Sequence, residues 1–279
     1  MGPPQARETE RGEGPPRPRM KIAVCIKQVP VKEWQPRVDE TGRGIREQDA
    51  SFEMNEPDAY ALEAALRLRE QHGGDVVVCT AGPARAGQVL REALARGADR
   101  AIHIEDDRLS SADANAIAGV LADAIRDEAF DLVLTGLQSD DQGAAQTGVI
   151  LAERLGVPHA TIVMDVQVVP STGSGQAALR VKRELEGGWF QWVAMPLPAL
   201  LAIQSGINQL RYATLKGIMA AKKKEIRKVA PASMPPAKLR VLSLDAPRKT
   251  KRTQLIAGTP ADAARDLVSK LKNDARVLS

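Results

Sequence analysis

The chain is 279 residues long, 43% hydrophobic and 27% charged, as expected of a soluble protein with an adequate core. No apolar run approaches the roughly 18 residues of a membrane-spanning helix, and aromatics are only 3%, so the core falls to Ala, Val, Leu and Ile. The net charge of +4 conceals +10 between Lys216 and Arg252, twelve Lys and Arg against Glu225 and Asp245, and −6 elsewhere. That segment has no aromatic side chain to stack on bases and no helix-turn-helix, zinc-finger or RNA-recognition pattern, so a nucleic-acid partner is not expected.

Residues 1–19 contain five Pro and three Gly and no Leu, Ile, Val, Phe or Trp, which predicts a disordered extension without a secretory signal. The folded part is expected to start at Met20. KIAVCIK, Lys21 to Lys27, reads as a buried strand. A helix follows from about Pro57 to Gln71, with Tyr60, Ala61, Ala64, Ala65 and Leu68 inward, a Glu63–Arg67 pair outside, and Gly73-Gly74 as its stop. DVVVCT (Asp75 to Thr80) is a second strand, and the next helix turns Val89, Leu90, Ala93 and Leu94 inward before Gly97. Ala101 to Ile104 is a third strand. Its helix, about Ser111 to Asp127, carries a stripe of Ile117, Val120, Leu121, Ala124 and Ile125, with Ser110 and Asp113 as the capping signal. DLVLT (Asp131 to Thr135) is a fourth strand, followed by a helix from about Gly143 to Leu155. Strand-helix alternation of this kind predicts an α/β, Rossmann-like doubly wound parallel sheet.

After Pro158 the pattern changes. Thr161 to Val169, Ala178 to Leu185 and Trp189 to Met195 read as an antiparallel addition, turning at Ser171–Gly175 and Gly187-Gly188, and Ala199 to Ile203 as one more core strand. A nucleotide-binding α/β domain over 20–205 is therefore expected, with 206–279 as a C-terminal arm that holds a partner. The arm closes with a helix that has Thr259 as N-cap, Pro260 in the first turn and Ala264, Leu267, Val268 and Leu271 on its apolar face. Cys25 and Cys79 both fall inside strands, at no framework spacing, which points to a reducing cytoplasm.

No catalytic centre is legible. His72, His103 and His159 form no metal pattern, and no Ser stands in a nucleophile elbow. The dinucleotide fingerprint is missing after the first strand. Gly82 and Gly87 have Walker spacing, but Gln88 replaces the lysine. One loop is informative: the fourth strand runs through Gly136 into LQSDDQGAAQTG before a helix, at the strand end where open α/β sheets bind ligands. Gly136 and Gly143 allow close backbone approach, and Gln138, Gln146 and Thr147 could bond phosphate or ribose. Asp140 and Asp141 would repel a phosphate and could instead tie the loop to itself. Asn55, Glu56, Pro57 and Asp58 form a second wall, which also reads as a simple N-cap. Nucleotide site and capped polar loop both remain open on these residues alone.

The stretch VKRELEGGWFQWVAMPLPALLA, Val181 to Ala202, followed by RYATLKGIMAAKKKEI, identifies a family. With Val181, Arg183, Glu186, Gly187, Gly188, Gln191, Val193, Pro198, Leu200, Leu201 and Ala202 at its fixed positions, the chain from Met20 to about Lys272 resembles the beta subunit of electron transfer flavoprotein. The resemblance implies an electron carrier without its own catalytic centre, paired with an alpha subunit that holds most of the FAD. It would pass electrons from acyl-CoA-type dehydrogenases to a membrane quinone reductase. It further implies a structural AMP bound by Cys25, Asn55, Glu56, Pro57, Asp58, Ala81, Gly136, Leu137, Gln138, Ser139, Asp140, Asp141, Gln142, Gly143, Ala144, Ala145, Gln146 and Thr147. Arg211, Tyr212 and Leu215 match a loop that recognises dehydrogenases, with Leu215 as its anchor, and Arg183 and Glu184 match the subunit interface. CIKQVP and SSADANAIA are similar to the flavin-bifurcating branch, in which a second FAD that oxidises NADH replaces AMP. That branch's Asp-Thr pair stands here as Asp113-Ala114, and the proline of the usual Asn-Pro-x-Asp is displaced to Pro57. A stand-alone adenine-nucleotide sensor of the universal-stress type is the reading from another class.

Overall fold

The computed structural model describes residues 19–170, 177–247 and 253–277. Most of the expected N-terminal extension and the Ser171–Gly175 turn lie outside the described residues. Two compact units are present, one ending at Leu242 and the other beginning at Ser243.

In chain order the first unit contains β1 (Met20–Cys25), a short hairpin of β2 (Gln28–Pro30) and β3 (Phe52–Met54), α1 (Glu56–His72), β4 (Gly74–Gly82), α2 (Gly87–Arg96), β5 (Arg100–Glu105) and α3 (Ala114–Ile125). It continues with β6 (Leu132–Gly136), α4 (Thr147–Leu155), β7 (His159–Pro170), β8 (Ala177–Glu184), β9 (Phe190–Pro196), β10 (Ala199–Ile203), α5 (Leu215–Ala221) and β11 (Ile226–Val229). The second unit contains α6 (Pro260–Asn273), whose N-cap Thr259 accepts a hydrogen bond from Asp262 N, as its sequence predicts.

Nine strands form one sheet in the order β11-β5-β4-β1-β6-β10-β7-β8-β9, parallel as far as β7 and antiparallel through β8 and β9. Alternation along the strands divides the core into two layers. Ile22, Val24, Val76, Val78, Leu132 and Leu134 pack with α1 and α2 on one face. Ala23, Cys25, Val77, Cys79 and Val133 pack with α3 and α4 on the other. This is the doubly wound arrangement expected, and the chain reverses direction across the sheet between β1 and β6.

Several local expectations need correction. Ser110 does not cap α3: its hydroxyl donates to Asp107 O, while Asp113 is the N-cap and accepts from Ala116 N at 2.8 Å. The helix expected from Gly143 begins only at Thr147, because Gly143 and Ala145 stand at φ 62° and 54°, outside the helical region. The Glu63–Arg67 pair forms at 2.7 Å, but Glu63 is buried and not on an outer face. The segment after residue 205 is not wholly extended, since α5 packs on α2 and β11 adds a parallel edge strand to β5.

Glu128, in the turn after α3, draws together the starts of three strands. Its carboxylate meets Lys21 of β1 at 2.8 Å, Arg100 of β5 at 2.6 Å and Arg227 of β11 at 2.9 Å. Hydrogen bonding from Lys21, then from Arg100, outweighs partial burial and lowers its pKa to about 2. A carboxyl depressed in the folded state stabilises fully above its unfolded pKa and loses that contribution as pH falls through the folded one. Stability is therefore expected to drop between about pH 5 and pH 2 by up to about 2 kcal/mol through this residue, allowing for solvent screening. Thermal melts of wild type and Glu128→Gln between pH 6 and pH 3 check this: the variant starts less stable at pH 6 and loses less on acidification.

Candidate functional site

The expected wall residues converge at the carboxyl edge, where β1, β4 and β6 end side by side. Cys25 ends β1, Ala81 lies at the end of β4, and Gly136 ends β6. Asn55 is the N-cap of α1, with Glu56, Pro57 and Asp58 in its first turn. The loop 137–146 leads from β6 into α4, which Thr147 opens.

Asp58 fixes this edge. Its Oδ2 accepts from Lys27 N, just after β1, at 2.7 Å, and its Oδ1 accepts from Gly136 N at 2.8 Å. One buried carboxylate thus ties the two strand ends on either side of the chain reversal. Burial raises its pKa to about 7, against the opposing effect of the amides and of Asn55. Gly136 has to lack a side chain, because a Cβ there would lie 2.4 Å from Asp58 Oδ1 and 2.7 Å from Pro57 Cβ. Asn55 does parallel work on the loop: its Nδ2 donates to Gln138 O at 3.0 Å and its Oδ1 accepts from Asp140 N at 2.9 Å.

The acids of the loop are turned to internal use. Lys27 Nζ pairs with Asp141 at 2.7 Å and donates to Ser139 Oγ at 3.3 Å. Burial would raise the Asp141 pKa, but the Lys27 charge and hydrogen bonds hold it below the usual carboxylate range. Asp140 accepts from Glu56 N at 3.4 Å at the start of α1 and lies 4.0 Å from Lys32 Nζ, which also pairs with Glu56. The remainder, Gln142 to Gln146, is exposed ahead of α4, whose first-turn amides lack intrahelical partners by the geometry of any helix start. Thr135 is also positioned here. Its hydroxyl is buried without a hydrogen-bond partner, and a Cβ on Gly148 would come within 2.7 Å of it. An edge with an open helix start and an orphan hydroxyl is chemically suited to a phosphate-bearing ligand.

Sequence reasoning missed Lys27 and Thr135. A lysine directly after a buried strand, facing a loop with two adjacent Asp residues, was the available signal for the first. For Thr135 there was none, since a strand-end threonine is common. Cys25 is buried, and burial pushes its thiol well above the ordinary value, with Cys79 and Asp58 adding to the effect, which makes it a poor nucleophile.

The remaining expected residues lie elsewhere on the first unit. Arg211, Tyr212 and Leu215 belong to the stretch from β10 into α5; Tyr212 and Leu215 are 90% and 84% exposed. Arg183 on β8 folds back on Thr161, donating to its carbonyl at 2.8 Å and its hydroxyl at 3.1 Å, and Glu184 ends the same strand. Beyond it the β8–β9 hairpin exposes Leu185, Trp189, Phe190 and Trp192, with Lys182 over Phe190 and Arg180 over Trp192.

Comparison with known proteins gives this arrangement a context. Residues 43–234 match the electron transfer flavoprotein domain. The chain is 42% identical over 217 residues to electron transfer flavoprotein subunit beta of Methylophilus methylotrophus, covering 77% of this chain and 81% of that one. It is 36% identical over 249 residues to the subunit beta of Bacillus subtilis, covering 86% and 93% respectively. It is also 36% identical over 265 residues to the mitochondrial subunit beta of Oryza sativa subsp. japonica, covering 93% and 100%.

If Asp58 braces the edge, Asp58→Asn places an amide group against one of two backbone donors. That substitution is expected to cost about 2 to 3 kcal/mol and to lower the melting temperature by about 5 °C or more. Gly136→Ala is expected to act in the same direction. Melts at wild-type temperature for both variants would remove the brace from the account.

Proposed function

The chain belongs to the electron transfer flavoprotein family as a beta subunit, and from that premise we propose that it is the non-catalytic half of a heterodimeric electron carrier. In this reading it binds one adenine nucleotide, AMP, and its partner alpha subunit holds the FAD. Supporting the nucleotide is the convergence at the chain reversal of Asn55, Asp58, Lys27, Gly136 and the exposed loop before α4, with the orphan hydroxyl of Thr135 beside Gly148. The residues fit the group. The amides from Ala144 to Thr147, ahead of and at the start of α4, would hold the phosphate, and Asn55, Gln138 and Ser139 would line the rest, while Lys27 balances Asp141. AMP supplies no redox chemistry, so its contribution is structural.

FAD in the alpha subunit would supply the electron chemistry, and this chain's residues orient and present. The exposed Trp189, Phe190 and Trp192 with Arg183 and Glu184 would face the alpha subunit, since an aromatic patch of this kind is costly to leave in water. Leu215 and Tyr212 would anchor an acyl-CoA-type dehydrogenase, one apolar contact within a polar rim, as suits a weak and rapidly exchanging complex. A membrane quinone reductase would then accept the electrons.

The cofactor content of the purified heterodimer tests this reading. One FAD and one AMP per heterodimer are expected after denaturation and chromatography. Two FAD and no AMP would replace it with a bifurcating carrier whose second flavin oxidises NADH. A colourless, stable monomer that exchanges ATP would replace it with a nucleotide sensor. Trp192→Ala combined with Trp189→Ala is expected to weaken the subunit pair by about tenfold or more, read by sedimentation of the two subunits at micromolar concentration.

A further inference from the structure

The segment carrying Leu215 is held from two sides in the isolated chain. Arg211 forms a fork across two turns of α1: Nε to Glu63 at 2.7 Å, Nη1 to Glu70 at 2.6 Å, and Nη2 to both at 3.2 Å. Two neighbouring bonds repeat the attachment. Asn208 Nδ2 donates to Tyr60 O at 3.1 Å, and Arg67 Nη2 donates to Gln209 O at 3.0 Å. Arg211 holds Glu70 below the usual carboxylate range; for Glu63, burial acts upward but Arg211 and Arg67 outweigh it.

The other clamp is steric. Gly217 lies so close to α2 that a Cβ would stand 2.2 Å from Ala95 O. The same contact is stitched by Arg91 Nη1 to Ala221 O at 2.8 Å and by Lys224 Nζ to Leu94 O at 3.1 Å and Ala98 O at 2.5 Å. Thr214 caps α5, accepting from Gly217 N at 3.0 Å. Between the clamps the large apolar side chains of Tyr212 and Leu215 are left almost wholly in water. A cleft of about 480 Å³ lies beside them, lined in part by Arg67, Arg96, Arg211 and Tyr212.

From this geometry we propose that Arg211 and Gly217 are positioning residues, which preset Leu215 for docking before any partner arrives. The inference rests on the docking role given to Leu215 above and adds its cause. An exposed apolar anchor on a mobile loop would pay ordering entropy at each encounter; a clamped one does not. A lysine is no equivalent of Arg211, because an ammonium lacks the planar fork that engages Glu63 and Glu70, two turns apart, with more than one bond each.

The test uses the flavin-loaded heterodimer as wild type, Leu215→Ala, Arg211→Gln, Arg211→Lys and Gly217→Ala. Amide hydrogen exchange over residues 208–219 is read alongside steady-state reduction by an acyl-CoA dehydrogenase. Arg211→Gln and Gly217→Ala are expected to speed exchange in that segment about tenfold or more. They should raise KM for the dehydrogenase about fivefold or more, the effect falling on KM and not on kcat, with the flavin spectrum unchanged. Arg211→Lys should restore neither. A Leu215→Ala protein with wild-type KM would sink the docking role itself. A raised KM for Leu215→Ala beside wild-type exchange and KM for Arg211→Gln would overturn the clamp and leave the docking role standing. Should Arg211→Gln not fold, Glu70→Gln loosens the fork from its exposed side, and unaltered exchange there also overturns the proposal.

Discussion

One carboxylate braces the point where the connectivity of the sheet reverses. Asp58 ties the chain after β1 to the chain after β6, the two strand ends between which the connectivity reverses. At such a point the flanking loops diverge and leave a crevice, and the tie keeps its floor from opening. Gly136 follows from the same requirement, since only a residue without Cβ lets its amide reach Asp58. Asn55, one turn earlier, extends the hold to Gln138 and Asp140. Two consequences rest on that one buried group, a braced strand junction and an obligatory glycine, while Lys27, Lys32 and Asn55 engage the acids of the loop. The loop's negative charge is consequently no obstacle to a phosphate, because Asp141 is matched by Lys27 and Asp140 lies at a helix start near Lys32.

Much of the architecture could be read in the sequence for simple reasons. The stripes of α2 and α3 recur at helical spacing, the four first strands are short apolar runs, and Thr259-Pro260 marks a helix start unambiguously. Where reading failed, a non-local contact decided. Glu63 looked solvated because its i,i+4 partner is local, but Arg211, 148 residues on, covers it. β11 was hidden in a lysine-rich stretch, where Ile226 and Val229 are too few to show an alternation. The late start of α4 depends on two left-handed residues, one of them an alanine, which no propensity would place there. For the site, the resemblance supplied a set of positions, and the structure supplies how they are held.

The basic stretch after residue 215 illustrates how composition misleads about surface. Its charge and position suggested an arm that holds a partner. Yet Lys224 donates to backbone carbonyls of Leu94 and Ala98, Arg227 joins Glu128, and Lys228 pairs with Glu105 at 2.7 Å. Those cations secure the sheet's edge strand and the α2–α5 contact.

α1 is the element that these observations have in common. Its first turn braces the loop 137–146 and the end of β6 through Asn55 and Asp58, and its later turns carry Glu63 and Glu70, which hold Arg211. A helix is stiff over this length, so a tilt that served one end would be felt at the other. A nucleotide that completes the surroundings of the first turn would therefore help to fix the base from which Leu215 projects, with no redox part of its own. Under the proposed function, an adenylate that does no chemistry would be retained for a physical reason: the loop it meets and the segment carrying Leu215 share one rigid support.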